Sequence, residues 1–399
     1  MSADTEPSVR TKLPASIWAL GFVSLLMDVS SEMIHSLLPV FMVTVLSASA
    51  LTVGLVEGAG EAVALIVKLF SGALSDYWAK RKPLAVLGYA LGALSKPLFA
   101  LAGSNSLVLG ARLIDRTGKG IRGAPRDALV ADIVASGRRG AAYGLRQALD
   151  SAGAFLGPLV ALGLMLLWLD DFRKVFWVAV VPGLLAVVLL VVGVQEPART
   201  HAKKYHNPLT RVNLRCLPST YWWIVAIGAI FTLARFSEAF LLLRAQQGGL
   251  AIALTPLVFI AMNLVYGLSA YPLGKLSDRV DRMTLLATGL VVLIFADLAL
   301  AYSGEWQWVW LGVSFWGLHM GITQGLLNAL IADTTPAHLR GTAFGLFNLI
   351  SGIAILVASV LAGLLWDVYG ARITFLAGAG FSVLALLGLA SRFVSGIRP

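Results

Sequence analysis

The sequence predicts an all-α membrane protein in which twelve transmembrane helices form two pseudo-symmetric six-helix bundles. The first observation is composition, because 58% of the 399 residues are hydrophobic and 13% are charged, whereas soluble domains carry about 25% charged residues. The second is an internal duplication. The segment GALSDYWAKR at 72–81 recurs as GKLSDRVDR at 274–282, and ALVADIVASGRRGAAYGL at 128–145 recurs as ALIADTTPAHLRGTAFGL at 329–346. A repeated unit in an apolar chain is typical of transporters.

Apolar stretches long enough to cross a bilayer as helices occur six times in each half. None shows the alternation of apolar and polar residues that marks a strand of a membrane barrel. The predicted spans are 14–45, 50–71, 83–104, 106–133, 141–168, 174–194, 220–243, 251–273, 283–303, 307–332, 341–366 and 373–395. They predict a first bundle over 1–195, a cytoplasmic linker over 196–219 and a second bundle over 220–399.

Basic residues predict the orientation of these helices. Arg10 and Lys12 precede helix 1, a basic cluster at 80–82 follows helix 2, and Arg138 and Arg139 follow helix 4. The positive-inside rule then predicts a protein of the cytoplasmic (inner) membrane with both termini cytoplasmic. This placement accounts for the net charge of +10 and argues against nucleic-acid binding, which needs a water-exposed basic face. The polar first thirteen residues predict no cleavable signal peptide, and the single cysteine excludes an intrachain disulfide.

A motif G-x-L-S-D followed by basic residues stands between helices 2 and 3 and again between helices 8 and 9. In this motif, its position and the duplication, the whole chain resembles the major facilitator superfamily. The resemblance implies that each motif latches the cytoplasmic side: Asp76 is placed to face the N-terminal end of helix 11, where a carboxylate is favoured, and Asp278 repeats this at helix 5. A loop that only supplies topology charges is the alternative. The predicted latch residues are Gly72, Asp76, Lys80, Arg81, Asp132, Arg139, Gly274, Asp278, Arg279, Arg282, Asp333 and Arg340.

Helix 5 contains Gly153, Gly157 and Pro158, which resemble the G-x-x-x-G-P element of drug/proton antiporters. Within the superfamily this resemblance implies export coupled to protons. Glycines also permit close helix packing and proline permits bending. A packing role without regard to transport direction is therefore the alternative.

Helix 4 carries a row of charges on one face. Arg112, Asp115, Lys119, Arg122 and Arg126 fall within about 80° of arc at roughly 100° per residue. Each charge at membrane depth costs roughly 2.5–3.5 kcal/mol, so this face meets substrate, water or an internal salt-bridge network. The predicted substrate-binding residues are Arg112, Asp115, Lys119, Arg122, Arg126, Arg146, Gln147, Asp150, Arg235, Glu238, Asn263, Gln324 and Asn328.

Helices 1 and 2 carry the predicted proton-coupling residues, which are Asp28, Glu32, His35, Glu57 and Glu61. On each helix two carboxylates lie four residues apart and repel each other when both are ionised. One of each pair is therefore expected to hold a proton unless a cation or substrate lies between them. The alternative is neutralisation by Lys96, Arg146 and the charges of helix 4. The cationic surroundings argue against a metal site.

These features predict a proton-coupled secondary transporter that works by alternating access and exports a small organic compound or drug, with an anionic substrate indicated by helix 4. The alternatives are proton-coupled uptake of an anionic metabolite or siderophore and, from another class, a non-transporting membrane sensor. The sequence contains no nucleophile with a base and no phosphate-binding loop that would indicate an enzyme or an ATP-driven pump. We expect a monomer without a cofactor whose partners are the substrate, protons and the bilayer.

Overall fold

A computed structural model describes residues 13–78, 80–135, 138–197, 217–276, 280–323, 325–336 and 339–394. These ranges are helical with no strand among them. We number the helices by membrane span and use a and b for the two segments of a broken span. They are α1a Ala15–His35, α1b Leu38–Thr44, α2 Ala50–Trp78, α3 Lys82–Ala100, α4 Asn105–Ile133, α5 Arg139–Leu167, α6 Phe172–Gly193, α7a Ser219–Ala234, α7b Ala239–Gln247, α8 Pro256–Leu276, α9 Arg282–Tyr302, α10a Trp306–Thr323, α10b Leu326–Thr334, α11 Arg340–Tyr369 and α12 Ala371–Val394.

Ten of these spans are long and apolar enough to cross a membrane by length and composition. The other two are α4, whose row of charges lowers its hydropathy, and α10, whose first segment contains four tryptophans and the polar residues Gln307 and His319. The twelve spans are consistent with the predicted count. The predicted linker at 196–219 lies largely outside the described residues.

Three helices that the sequence predicts as continuous are broken. They are the spans predicted at 14–45, 220–243 and 307–332. In α1 the break precedes Pro39, which has no backbone N–H to continue the helical hydrogen bonds. In α7 the backbone of Arg235 leaves the helical region, with φ −112° and ψ 65°. In α10 it is Gly325 that turns the chain, at φ 76°, a conformation that favours glycine.

The buried apolar residues show which side of the molecule is closed. We call the side on which α2, α4 and α8 end the basic face, and the other side the opposite face. One apolar cluster near the opposite face mixes both bundles, with Phe41 and Val53 from the first and Phe240 and Phe259 from the second. Two further clusters near the basic face each belong to a single bundle. The bundles therefore share an apolar core at the opposite face and not at the basic face, toward which α2 and α11 still touch at Leu69 and Gly345.

The contact between α2 and α11 closes the opposite face. The Asp367 carboxylate of α11 accepts hydrogen bonds from the backbone N–H groups of Ala50 and Leu51, each 2.9 Å long, at the start of α2. A carboxylate is favoured at this end of a helix because the unpaired N–H groups carry partial positive charge. Gly54 and Gly363 allow the two backbones to touch, since a Cβ at either position would meet backbone atoms of the other helix.

Replacing Asp367 with asparagine should shift the population toward opening at the opposite face by about 1 kcal/mol, or roughly fivefold, because the charge at the α2 N-terminus is lost. Spin labels at Ser49 and Gln247 measure the change, since both residues are exposed and border the same shallow recess between the bundles. Asp171→Asn is the matched control, because Asp171 caps a helix within one bundle. Equal distance distributions for the two variants would contradict the expectation.

Candidate functional site

Two connected cavities run between the bundles toward the basic face. The upper cavity, which is farther from the basic face, has a volume of about 520 Å³. The lower cavity, which is nearer the basic face, has a volume of about 380 Å³. Five residues line both of them, namely Glu32, Glu61, Leu65, Lys119 and Ala154. Because these residues are shared, the two cavities form one continuous path.

The two walls of the upper cavity differ in chemistry. The first bundle supplies charged groups, including Glu32, His35 and Lys119. The second bundle supplies Arg235, Glu238, Asn263 and Asn328, all predicted from the sequence, together with Phe231, Phe236, Phe259 and Phe347. These phenylalanines were not predicted, because on apolar helices they are indistinguishable from residues that face the core or lipid.

Most charges of α4 are neutralised by acids on neighbouring elements. Arg112 forms a buried ion pair with Glu57 of α2. One turn further along α4, Arg116 Nη1 lies 3.1 Å from Glu61 Oε1 of α2. Toward α3, Asp115 accepts a 2.7 Å hydrogen bond from the ammonium of Lys96, and both side chains are buried.

A second group of ion pairs lies closer to the basic face. Arg126 Nε lies 3.2 Å from Asp127 Oδ1 and its Nη1 lies 3.7 Å from Asp150 Oδ1. Arg146 of α5 contacts the same Asp150 at 3.0 Å. Arg126, Gln147 and Asp150 line the lower cavity. The structure places Arg112, Asp115 and Arg146, which were predicted to bind substrate, in these ion pairs and outside both cavity walls, because burial requires a partner for each charge.

Lys119 and Arg122 remain without an acidic partner among the described residues. Lys119 is exposed to both cavities. Arg122 lines the lower cavity with its guanidinium carbon 4.8 Å from the centre of the Tyr89 ring, and its buried Nη1 has no hydrogen-bond acceptor in the described part of the chain. These two cations therefore lie on the path outside any ion pair of the described residues, among acids that include Glu32, Glu61 and Asp28.

His35 lies between two carboxylates at the upper cavity. Its Nδ1 is 3.4 Å from Glu32 Oε2, and its Nε2 is 3.4 Å from Glu57 Oε2. The His35 ring also packs against Phe259 of the second bundle at a centroid distance of 5.2 Å. The predicted coupling residues thus meet at an interface between bundles, with Glu61 beside them and Asp28 lining the lower cavity.

The helix-5 element packs against the acidic residues of α1. A Cβ at Gly153 would lie 2.9 Å from Asp28 Cβ, and one at Gly157 would lie 2.7 Å from Glu32 Cβ. Pro158 follows directly and is buried. The two glycines therefore let α5 approach α1 at the turns that carry the predicted proton carriers.

Comparisons with known proteins identify the family. The sequence pattern of the Major Facilitator Superfamily matches residues 20–359. The chain belongs to this superfamily. It is 34% identical over 394 residues to an uncharacterized MFS-type transporter of Methanocaldococcus jannaschii, covering 96% of each chain. It is 23% identical to the quinolone resistance protein NorA of Staphylococcus aureus, covering 88% of this chain and 90% of the relative.

The fold of this superfamily member is also found among solved structures. A bacterial homolog of the human lysosomal transporter Spinster, in an inward-facing and occupied conformation, matches 94% of this chain and 96% of its own with a TM-score of 0.75 and 16% identity. At that identity the likeness shows the fold. Family and fold together make the chain an integral membrane transporter and not an enzyme.

The superfamily latch motifs lie at the basic face. Arg81 Nε is 3.2 Å from Asp132 Oδ2, and Arg282 forms an ion pair with Asp333 in the other bundle. Each pair joins residues of one bundle and is formed while the basic face is open, so it cannot alone hold the two bundles together. Gly72 lies against α4 near Ala124.

The remaining latch positions divide into two groups. The structure shows Lys80, Arg139, Gly274 and Arg340 as exposed. The side chain of Asp76 and all of Asp278 and Arg279 lie outside what the structure describes, as does Gln324, which was predicted to bind substrate. The contact of Asp76 with the start of α11 therefore stays a prediction.

Proposed function

We propose that this transporter resides in the cytoplasmic membrane, is coupled to protons and exports a small organic compound that carries an anionic group. One observation carries the proposal: a single path between the bundles brings together the unpaired amine of Lys119, the carboxyl of Glu32 and the aromatic side chain of Phe259. If the basic face is cytoplasmic, as the positive-inside rule predicts, the path is open to the cytoplasm. A compound to be exported would enter from that side.

The two walls of the upper cavity support a substrate with two chemically different ends. An anionic group would contact Lys119, whose ammonium forms no ion pair among the described residues. An apolar or aromatic body would pack against Phe231, Phe259 and Phe347. A volume of about 520 Å³ lies within the roughly 300–1,000 Å³ of small-molecule sites.

Proton coupling would run through the bridge from Glu32 to His35 to Glu57. A protonated imidazole donates from both ring nitrogens and can satisfy both carboxylates, whereas a neutral imidazole donates from only one. Loss of the proton would therefore break one side of the bridge. Because the His35 ring also contacts Phe259 of the second bundle at 5.2 Å, that change would act on the interface between the bundles.

Export is supported by the position of the antiporter-like element, since Gly153 and Gly157 pack beside the acids of α1. Proton-coupled uptake is a second candidate, and the shared lining of the path favours it. Ionised Glu32 or Glu61 would compete with a substrate anion for Lys119, so that protonation of these acids would favour binding of the anion. In that case anion and proton would move together.

Transport by the purified chain in liposomes separates these functions. A panel of organic acids, each paired with its neutral amide, is first tested for thermal stabilisation of the protein. The most stabilising acid is then assayed under imposed pH gradients. Accumulation driven by an acidic lumen indicates exchange and supports export, whereas accumulation driven by an acidic exterior indicates co-transport. Binding without accumulation under either gradient would overturn both and indicate a sensor.

Replacing Glu32 with glutamine should abolish transport driven by a pH gradient and retain binding, because the amide keeps the shape of the side chain and cannot carry the proton. Thermal stabilisation and exchange at equal pH measure the retained steps. Glu305→Gln is the control, since Glu305 is exposed at the opposite face. Gradient-driven accumulation that persists in Glu32→Gln would remove Glu32 from the coupling pathway.

A further inference from the structure

A carboxyl group lies in the interior of the second bundle, away from both cavities. Asp297 of α9 is fully buried, and neither of its oxygens has a hydrogen-bond partner among the described residues. A Cβ at Gly378 of α12 would lie 2.8 Å from Asp297 Oδ2 and 2.9 Å from Phe236 Cε1, so the Phe236 ring is close to this carboxyl group. The first bundle alone was expected to carry the coupling charges.

An ionised carboxylate without a partner is not tolerated in such surroundings. Transfer of an unpaired charge into an apolar interior is so unfavourable that the group takes up a proton instead. Even the neutral acid leaves a donor and an acceptor unused, which an aliphatic residue would avoid. Ionisable residues inside membrane helices are therefore functional candidates by default.

Few other ionisable groups face Asp297 from the elements packed around it. α10a contributes His319, which is fully buried with its Nδ1 2.7 Å from the carbonyl oxygen of Gly289. The break in α7 contributes Arg235 and Glu238, which line the upper cavity, and α7b contributes Arg244, whose Nε donates to the Leu300 carbonyl of α9 at 2.9 Å. From 371 to 391, α12 has Arg372 alone, at the opposite face over the Tyr302 ring. None of these forms an ion pair with Asp297 in the described part of the chain.

One side chain, Phe236, lies close to Asp297 and also borders the upper cavity. Phe236 lines that cavity and also packs on Trp316 and Phe375, each at a centroid distance of 5.6 Å. It belongs to the break between α7a and α7b, where the backbone is not helical. The next residue, Ser237, donates its backbone N–H to Ser359 Oγ of α11 at 3.2 Å.

The position of Phe236 links access to Asp297 with the movement of the bundles. α11 forms the closed contact with α2 at the opposite face, and the break in α7 is bonded to α11. Gly54 of α2 packs against Ser359 and Phe240 beside this break, so separation of α2 from α11 removes packing from the segment that holds Phe236. The ring can then move and connect Asp297 with the cavity.

We propose that Asp297 is a second proton-binding site, occluded behind Phe236 while the opposite face is closed and exposed to the cavity when that face opens. The site takes a proton and no other ligand. Its role in transport rests on the proposed proton coupling, but its occupancy can be measured without substrate. Failure of the proposed function and failure of this site are therefore distinguishable.

Infrared spectroscopy of the purified full-length protein in lipid nanodiscs tests the site with protons and deuterons as the only probes. Subtracting the spectrum of Asp297→Asn from that of the parent protein at neutral pH should leave the carbonyl band of a protonated carboxylic acid. Subtracting Asp171→Asn, a partly exposed acid that caps α6 at its N-terminus, should leave no such band. A missing band in the first subtraction means that Asp297 is ionised and overturns the proposal.

Two further variants test access and release. In deuterated water the band shifts as the Asp297 proton exchanges for a deuteron. Phe236→Ala should make this exchange about tenfold faster, because loss of a buried aromatic contact lowers the free energy of local opening. Gly54→Leu, which forces the opposite face open, should reduce the band at neutral pH. A band unchanged in both variants would identify a structural acid that never releases its proton and would overturn the proposal. If Asp297→Asn does not fold, Asp297→Glu replaces it and should move the band.

Discussion

Replacing Lys119 with glutamine should weaken binding of an anionic substrate by about tenfold to a hundredfold, the effect of losing one charged hydrogen bond of about 1.5–3 kcal/mol. Lys119 is the cation that lines both cavities and has no acidic partner among the described residues. Its removal therefore breaks no ion pair of the described residues, and the protein should stay folded. The ligand pairs of the thermal-shift panel measure the change, with each acid compared with its own amide.

The comparison between acid and amide gives the prediction its specificity. Binding of the amide should change little in Lys119→Gln, because no charge on that ligand meets the ammonium. Lys275→Gln is the matched control, since Lys275 is exposed at the end of α8 and lines neither cavity. Equal losses for acid and amide would show that Lys119 does not recognise the anionic group.

A contrasting outcome is expected for Arg112. Arg112→Gln would leave the fully buried Glu57 without its guanidinium partner. Breaking a buried ion pair from one side costs about 3–5 kcal/mol, so loss of folded protein is expected before any change in specificity. The row of charges on α4 thus contains residues of two kinds, and variants distinguish them by stability.

The sequence identifies this row of charges but does not show which of its members pair with acids and which line the cavities. Periodicity places the charges on one face of α4, yet partners come from whichever helix lies alongside. α2 and α4 run in the same direction, and the four-residue spacing of Glu57 and Glu61 matches that of Arg112 and Arg116. Equal spacing on two helices was the available signal, but its use requires knowing that they are neighbours.

The position of Lys119 follows from the same register. One turn beyond Glu61, α2 offers Leu65 and then Lys68, neither of which can neutralise a cation. Lys119 is therefore left without a partner on that side. Lys119 forms no ion pair with α2 because the acids of α2 end one turn earlier. This can be recognised only when the sequences of α2 and α4 are compared in register.

Other parts of the fold were predictable to different degrees. The internal duplication and the lengths of the apolar stretches predict twelve spans, because each of these signals extends over about twenty residues or more. The breaks in α7 and α10 depend on single residues such as Arg235 and Gly325, whose backbone angles depart from the helix. A single arginine or glycine is not a strong sign of a helix break, so the sequence predicts continuous helices at both places.

Replacing Gly54 with leucine should hold the transporter open at the opposite face and abolish transport. A Cβ at Gly54 would meet the Ser359 carbonyl of α11 and lie 3.3 Å from Phe240 Cζ. Backbone atoms cannot move aside as a flexible side chain can, and overpacking of this kind costs about 3 kcal/mol. Since about 1.4 kcal/mol changes an equilibrium tenfold, the closed state should lose at least about a hundredfold in population.

The distance between spin labels at Ser49 and Gln247 measures the shift, with Cys216 replaced by serine so that the labels are unique. Gly163→Leu is the matched control, because it adds the same side chain to a helical glycine that has no neighbour within 4 Å. The control should transport and keep the short distance. A short distance in Gly54→Leu would mean that α2 and α11 can close around a leucine, and the close approach at Gly54 would then not govern the opposite face.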